Sequence, residues 1–153
     1  MEILISASIG LLIAVVTAWI TVKLSLKQFR AEKIWERKFM AYENIITALH
    51  HSKAFSDTYI KVEMEIRELT EDQERELRIK TKNAEEEIDK AIDVGILFLS
   101  ENAIGVLKKY RQEADKANSV TSWSEYLQKD SEAIGNCLKI FPELARKDLK
   151  IFN

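Results

Sequence analysis

Few side chains in this 153-residue sequence are suited to chemistry at neutral pH. The two histidines are adjacent, His50 and His51. Helix neighbours point about 100° apart, so this pair is not placed to share one metal as residues at i and i+4 are. Glu43 and Asp57 stand seven and six residues from the nearest histidine, and spacing offers no third ligand. No metal and no cofactor are therefore expected. The single Cys137 lies on an apolar stripe, where a thiol packs as a small hydrophobe. A Cys137–His50 nucleophile pair would have to form between distant elements without a supporting motif. The remaining enzymatic arrangement would be built around His50, Glu43 and Tyr42. No phosphate-cradling glycine loop and no dinucleotide fingerprint is present. A net charge of −2 lacks the electrostatic footprint of nucleic-acid binding. These residues lead to an expectation of no enzymatic activity and no nucleic-acid partner.

What remains is the chemistry of a solvent boundary. Ile3 to Val22, ILISASIGLLIAVVTAWITV, is twenty residues without a charge. As a helix it measures about 30 Å, the thickness of a bilayer's hydrocarbon. A soluble helix of that length shows a polar face. Here the polar residues are the hydroxyls Ser6, Ser8, Thr17 and Thr21. Only Glu2 precedes the run after the initial Met1, and no small-x-small cleavage site follows it, unlike a signal peptide. Lys23, Lys27, Arg30, Lys33, Arg37 and Lys38 come next, against Glu32 and Glu36. Cations flanking a span stay on the cytoplasmic side. The expectation is a transmembrane anchor over 1–24, amino terminus outside, carrying a cytoplasmic domain over 25–153.

Two sets of residues in this region are candidate binding sites. Trp19, Lys23, Lys27 and Arg30 form a membrane-interface set, an indole at headgroup level with cations spaced four and three along one face. Ser6, Gly10, Ala14 and Ala18 recur every four residues, a groove through which two helices can approach closely. That face predicts self-association. The lipid bilayer, further copies of the chain and a cytosolic protein are the expected partners.

Removing the anchor leaves roughly 130 residues, enough for one domain with its own core. Charged residues reach 31%, with four Gly and one Pro, a composition that suits helices. From Leu11 to Val94 there is neither glycine nor proline, so nothing local stops the helix at the membrane surface. Trp35, Phe39, Tyr42, Ile46, Leu49, Tyr59, Val62, Ile66 and Leu69 form an apolar stripe that predicts a helix to Leu69. Thr70 with Gln73 is a capping-box pattern that opens a second helix burying Leu77, Ala84, Ile88, Ala91, Ile92, Ile96 and Leu99. Ser100 reads as the next N-cap, with Ile104, Leu107, Tyr110 and Ala114 inward. Ser122 with Glu125 opens the last helix, which turns Trp123, Tyr126, Leu127, Ile134, Cys137, Leu138 and Phe141 inward; Pro142 should kink or restart it. The expected fold is all-α, an amino-terminal transmembrane helix continuing into an up-down bundle of about four helices.

SLKQFRAEKIWERKFMAYENIITALH, Ser25 to His50, resembles a group of small bacterial single-span membrane proteins with an F-R-x-E-K-x-W-E-(R/K)-K…A-Y…I-I-x-A-L-H juxtamembrane helix. EIDKAIDVGILFLSENAIGVL (Glu87 to Leu107) and ARKDL (Ala145 to Leu149) fit the same pattern. The resemblance implies a prokaryotic inner-membrane protein and extends, by analogy, to membrane effectors of anti-phage systems. It transfers no active-site residue. In such a helix Trp35, Phe39 and Tyr42 would bury large areas in the bundle near the membrane. Two functions are thus expected to compete. One is a non-enzymatic effector acting on the membrane, the other an anchored adaptor recruiting a cytosolic partner.

Overall fold

In the computed structural model every element is helical, as a chain poor in glycine and proline favours. The structure describes the backbone of residues 2–66 and 68–150, and side chains from Ala14 onward in those ranges except Ile96. Helix α1 covers Glu2–Glu65, α2 Glu71–Val94, α3 Glu101–Ala117 and α4 Trp123–Leu149, with a 3₁₀ turn at Gly95–Leu97. No strand occurs among the described residues. Two compact units result, Met1–Glu36 and Arg37–Asn153.

In the first unit, the described side chains from Ala14 to Glu36 are all exposed. Among the described residues no helix is long and apolar enough to cross a membrane. The expected span begins at Ile3, and its side chains before Ala14 lie outside the described residues, as do those of Ser6 and Gly10.

The second unit is the helical bundle. Tyr42, Ile45, Ala48 and Leu49 from α1, Ala84 and Ile88 from α2, Leu107 and Tyr110 from α3, and Ile134, Cys137 and Phe141 from α4 share one core. Fully burying each large aliphatic or aromatic side chain contributes about 1.5–3 kcal/mol. Tyr42 bonds to Asp148 and Ser56 to Asp130, so α1 and α4 run antiparallel.

Local signals place the helix starts. Thr70 and Gln73 form a complete capping box, and Ser100 accepts from the Ala103 N–H. At Ser122 the hydroxyl accepts from the Glu125 N–H at 3.5 Å, a cap on one side only. Gly95 lets Leu99 approach closely, since a Cβ there would stand 2.7 Å from Leu99 Cδ1.

Two expectations are corrected, and that for Pro142 is narrowed. Helix α1 stops at Glu65, and Ile66 turns the chain at φ 48° with 96% of its surface exposed. Pro142 does not restart α4, which is continuous from Trp123 to Leu149 with Phe141 and Ala145 both buried on either side of the missing N–H. The buried face of α1 is also shifted in part: Tyr42 and Leu49 are buried as expected, but the rest of the stripe differs. Ile45, Ala48, Ser52, Phe55 and Ser56 are buried, whereas Trp35 and Phe39 are 47% and 37% exposed.

Candidate functional site

The polar residues that sit inside the bundle form two clasps joining α1 to α4. At the first, Tyr42 donates its hydroxyl to Asp148 Oδ2 and accepts the Ser100 N–H at 3.3 Å. Lys38 Nζ donates to the Asp148 carbonyl at 3.2 Å. The Tyr42 ring lies 5.5 Å from that of Phe141, so one side chain serves core and clasp. Burial, then the Asp148 bond, pushes the Tyr42 phenol up to about 12. Burial also acts to raise Asp148, but contacts with Ser100 and Tyr42 and the Lys38 charge outweigh it and hold the carboxyl below its ordinary value.

The second clasp holds a carboxyl in poorer surroundings. Ser56, fully buried, donates to Asp130 Oδ2 at 2.5 Å. Lys53 Nζ donates to Asp57 Oδ1 at 2.8 Å and to Ser131 Oγ at 2.9 Å, and Ser131 Oγ donates to Asp57 Oδ1 at 2.7 Å. Burial acts to raise Asp57, yet the Lys53 and Ser131 bonds bring it below its ordinary value. Asp130 goes the other way, because burial raises it more than Ser56 and Lys53 lower it. Around Asp130 stand Lys53 on α1, Glu85 on α2, Tyr110 on α3 and Tyr126 on α4. Burial and the nearby Asp130 and Glu85 charges push the Tyr126 phenol up to about 12, and Tyr110 is raised by the same influences. Glu85 is raised too; its residue is exposed, and crowding around the carboxyl outweighs the Arg111 charge. Ser52, one turn before Ser56, is buried with no hydrogen-bond partner on its hydroxyl.

These clasps can hold helices together. The Ser56 hydroxyl is enclosed, whereas Ser131 is only partly buried.

The residues singled out by type are dispersed. His50, His51 and Glu43 are exposed, while Cys137 is buried with its thiol pushed by burial to about 12, so the pair imagined between Cys137 and His50 does not form. Tyr42 is engaged by Asp148 and Asp57 by Lys53, and neither turns toward a histidine in any bond described. Among the described residues no group of three His, Cys, Asp or Glu side chains could hold a metal ion.

Of the small-residue face, Ala14 and Ala18 are described, and both are exposed on α1. Trp19, Lys23, Lys27 and Arg30 line one shallow groove along α1 together with Ile20, Leu24 and Leu26, so this interface set does share a face. Lys23 Nζ lies over the Trp19 ring, 4.3 Å from its centre.

Asp130, Asp148, Ser52, Ser56 and Ser131 were not singled out from the sequence. The available signal was register: Asp130 falls three after Leu127 and four before Ile134, within a buried stripe.

No family model matches the chain, and no curated protein or solved structure matches it significantly.

Proposed function

We propose that the chain is a single-pass bacterial inner-membrane protein, amino terminus outside and bundle in the cytoplasm, that self-associates through its span and acts as a non-enzymatic membrane effector in anti-phage defence. One observation carries the reading: twenty uncharged residues, Ile3 to Val22, lead directly into a run of cations. A bilayer accommodates that boundary, the uncharged length in hydrocarbon and the cations at the cytoplasmic surface. The register of Ser6, Gly10, Ala14 and Ala18 supports close approach of two spans.

The experiment follows membrane potential by dye in cells expressing the protein, at rest and under phage challenge. Wild type should depolarise the membrane, and Gly10→Ile, which fills the groove, should abolish that effect. Unchanged polarisation with wild-type protein in both conditions contradicts the effector reading.

An adaptor reading has its own observation in its favour. A groove of about 260 Å³ between α1 and α4 is lined by Phe39, Ile46, Pro142, Ala145 and Leu149, with Glu43 and Arg146 among the polar lining residues. Such a surface suits an amphipathic helix of a cytosolic protein. Exchanging the span for an unrelated transmembrane helix separates the two, because an adaptor keeps its function and an effector loses it.

A further inference from the structure

Cations in the bundle repeatedly have a carboxylate one helical turn away: Lys53 with Asp57, Arg78 with Glu74, Lys80 with Glu76, and Lys129 with Glu125. Lys23, Lys27 and Arg30 break this habit. No acidic residue occurs between Glu2 and Glu32, so none of the three has a carboxylate within a turn toward the uncharged segment. Among the described residues no acid pairs with any of them, and all three are exposed along the groove that Trp19 begins. Three cations left without counter-charge on one face leave a site for anions supplied from outside the chain.

The position along the helix selects the anion. Trp19 marks the depth at which an indole sits among headgroups, and Lys23 is held over its ring. From Lys23 the helix rises about 6 Å to Lys27 and about 10 Å to Arg30. Phosphates of the membrane surface therefore meet Lys23 directly and Lys27 at the reach of its stem. Arg30 acts from about one Debye length away.

We infer that Trp19, Lys23, Lys27 and Arg30 form a binding site for anionic phospholipid headgroups, a claim that rests on the anchoring reading above and adds the lipid class. The site is graded, Lys23 contributing most and Arg30 least. A surface cation enriches anionic lipid locally by about five-fold at most in this position.

The full chain with Trp35→Phe and Trp123→Phe, leaving Trp19 as the reporter, is reconstituted into vesicles of phosphatidylcholine and phosphatidylglycerol in which one lipid at a time is brominated. Quenching by brominated phosphatidylglycerol should exceed its bulk fraction by at least about two-fold at low salt. It should fall to the bulk fraction in Lys23→Gln/Lys27→Gln/Arg30→Gln, with Lys23→Gln the largest single loss. Quenching in proportion to bulk composition, or unchanged in the triple variant, overturns the inference while leaving anchoring intact. No quenching by either lipid overturns anchoring as well. Lipid retained by unaltered wild type and by the triple variant on extraction from cells, measured by mass spectrometry, gives the same comparison without the tryptophan changes. Equal phosphatidylglycerol on both contradicts the site.

Discussion

Asp130 occupies a position where the register of α4 asks for an apolar side chain, and its proton is the most informative single group in the bundle. Burial holds its carboxyl above the ordinary 3.8. Between 3.8 and the raised native value the folded chain therefore binds more proton than the unfolded one, and the contribution of Asp130 to stability falls as pH rises through that window. Asp57 and Asp148, both lowered, contribute in the opposite sense, present above 3.8 and lost as pH falls through their native values. Asp130→Asn keeps an acceptor for Ser56 and removes the charge. Thermal melts should show this variant at or above wild type at pH 7, with the difference shrinking toward pH 4. Asp130→Ala leaves the enclosed Ser56 hydroxyl without its acceptor and should cost about 1–3 kcal/mol. An Asn variant clearly less stable than wild type at pH 7 would mean that the charge itself is a favourable partner of Lys53. Register alone could have flagged Asp130, but the bond from Ser56 depends on which faces of α1 and α4 meet, and that is settled only by tertiary packing.

Helix boundaries were legible to the extent that they rest on contacts three residues apart. Thr70 with Gln73 and Ser100 with Ala103 are such contacts, and both caps form as their spacing predicts. The face of α1 was less legible, because two stripes overlap between Phe39 and Leu49. A count of apolar residues follows the aromatic one back through Trp35, while the bundle buries Tyr42 and Leu49, common to both, and continues through Ser52 and Phe55. Polar serines on the second stripe hid it from a count of apolar residues. At Pro142 the missing N–H does not restart the helix, whose neighbouring Phe141 and Ala145 are both buried. Ile66 is the element-scale feature with the clearest test. A β-branched residue at φ 48° is strained, and its side chain gains no burial in return. Ile66→Gly should stabilise the bundle by about 1 kcal/mol, seen as a higher urea midpoint at unchanged slope. A lowered midpoint would show that the side chain contributes more than its conformation costs.

Over the whole molecule, α1 runs from the uncharged segment into the bundle core, and the units Met1–Glu36 and Arg37–Asn153 differ in what surrounds their apolar residues. In the second unit, apolar side chains find one another. In the first, Val15, Val16, Trp19, Ile20, Val22 and Leu24 stand exposed along one helix. The proposed bilayer would give these side chains an apolar environment. Composition carries the expectation of a bilayer, whereas the trigger and partners of the bundle leave no signature in residue spacing. Washing membranes from expressing cells at alkaline pH is the most direct measurement. The account predicts that the full-length chain stays with the lipid pellet and is released by detergent. Recovery of the chain in the wash supernatant, free of lipid and detergent, would contradict it.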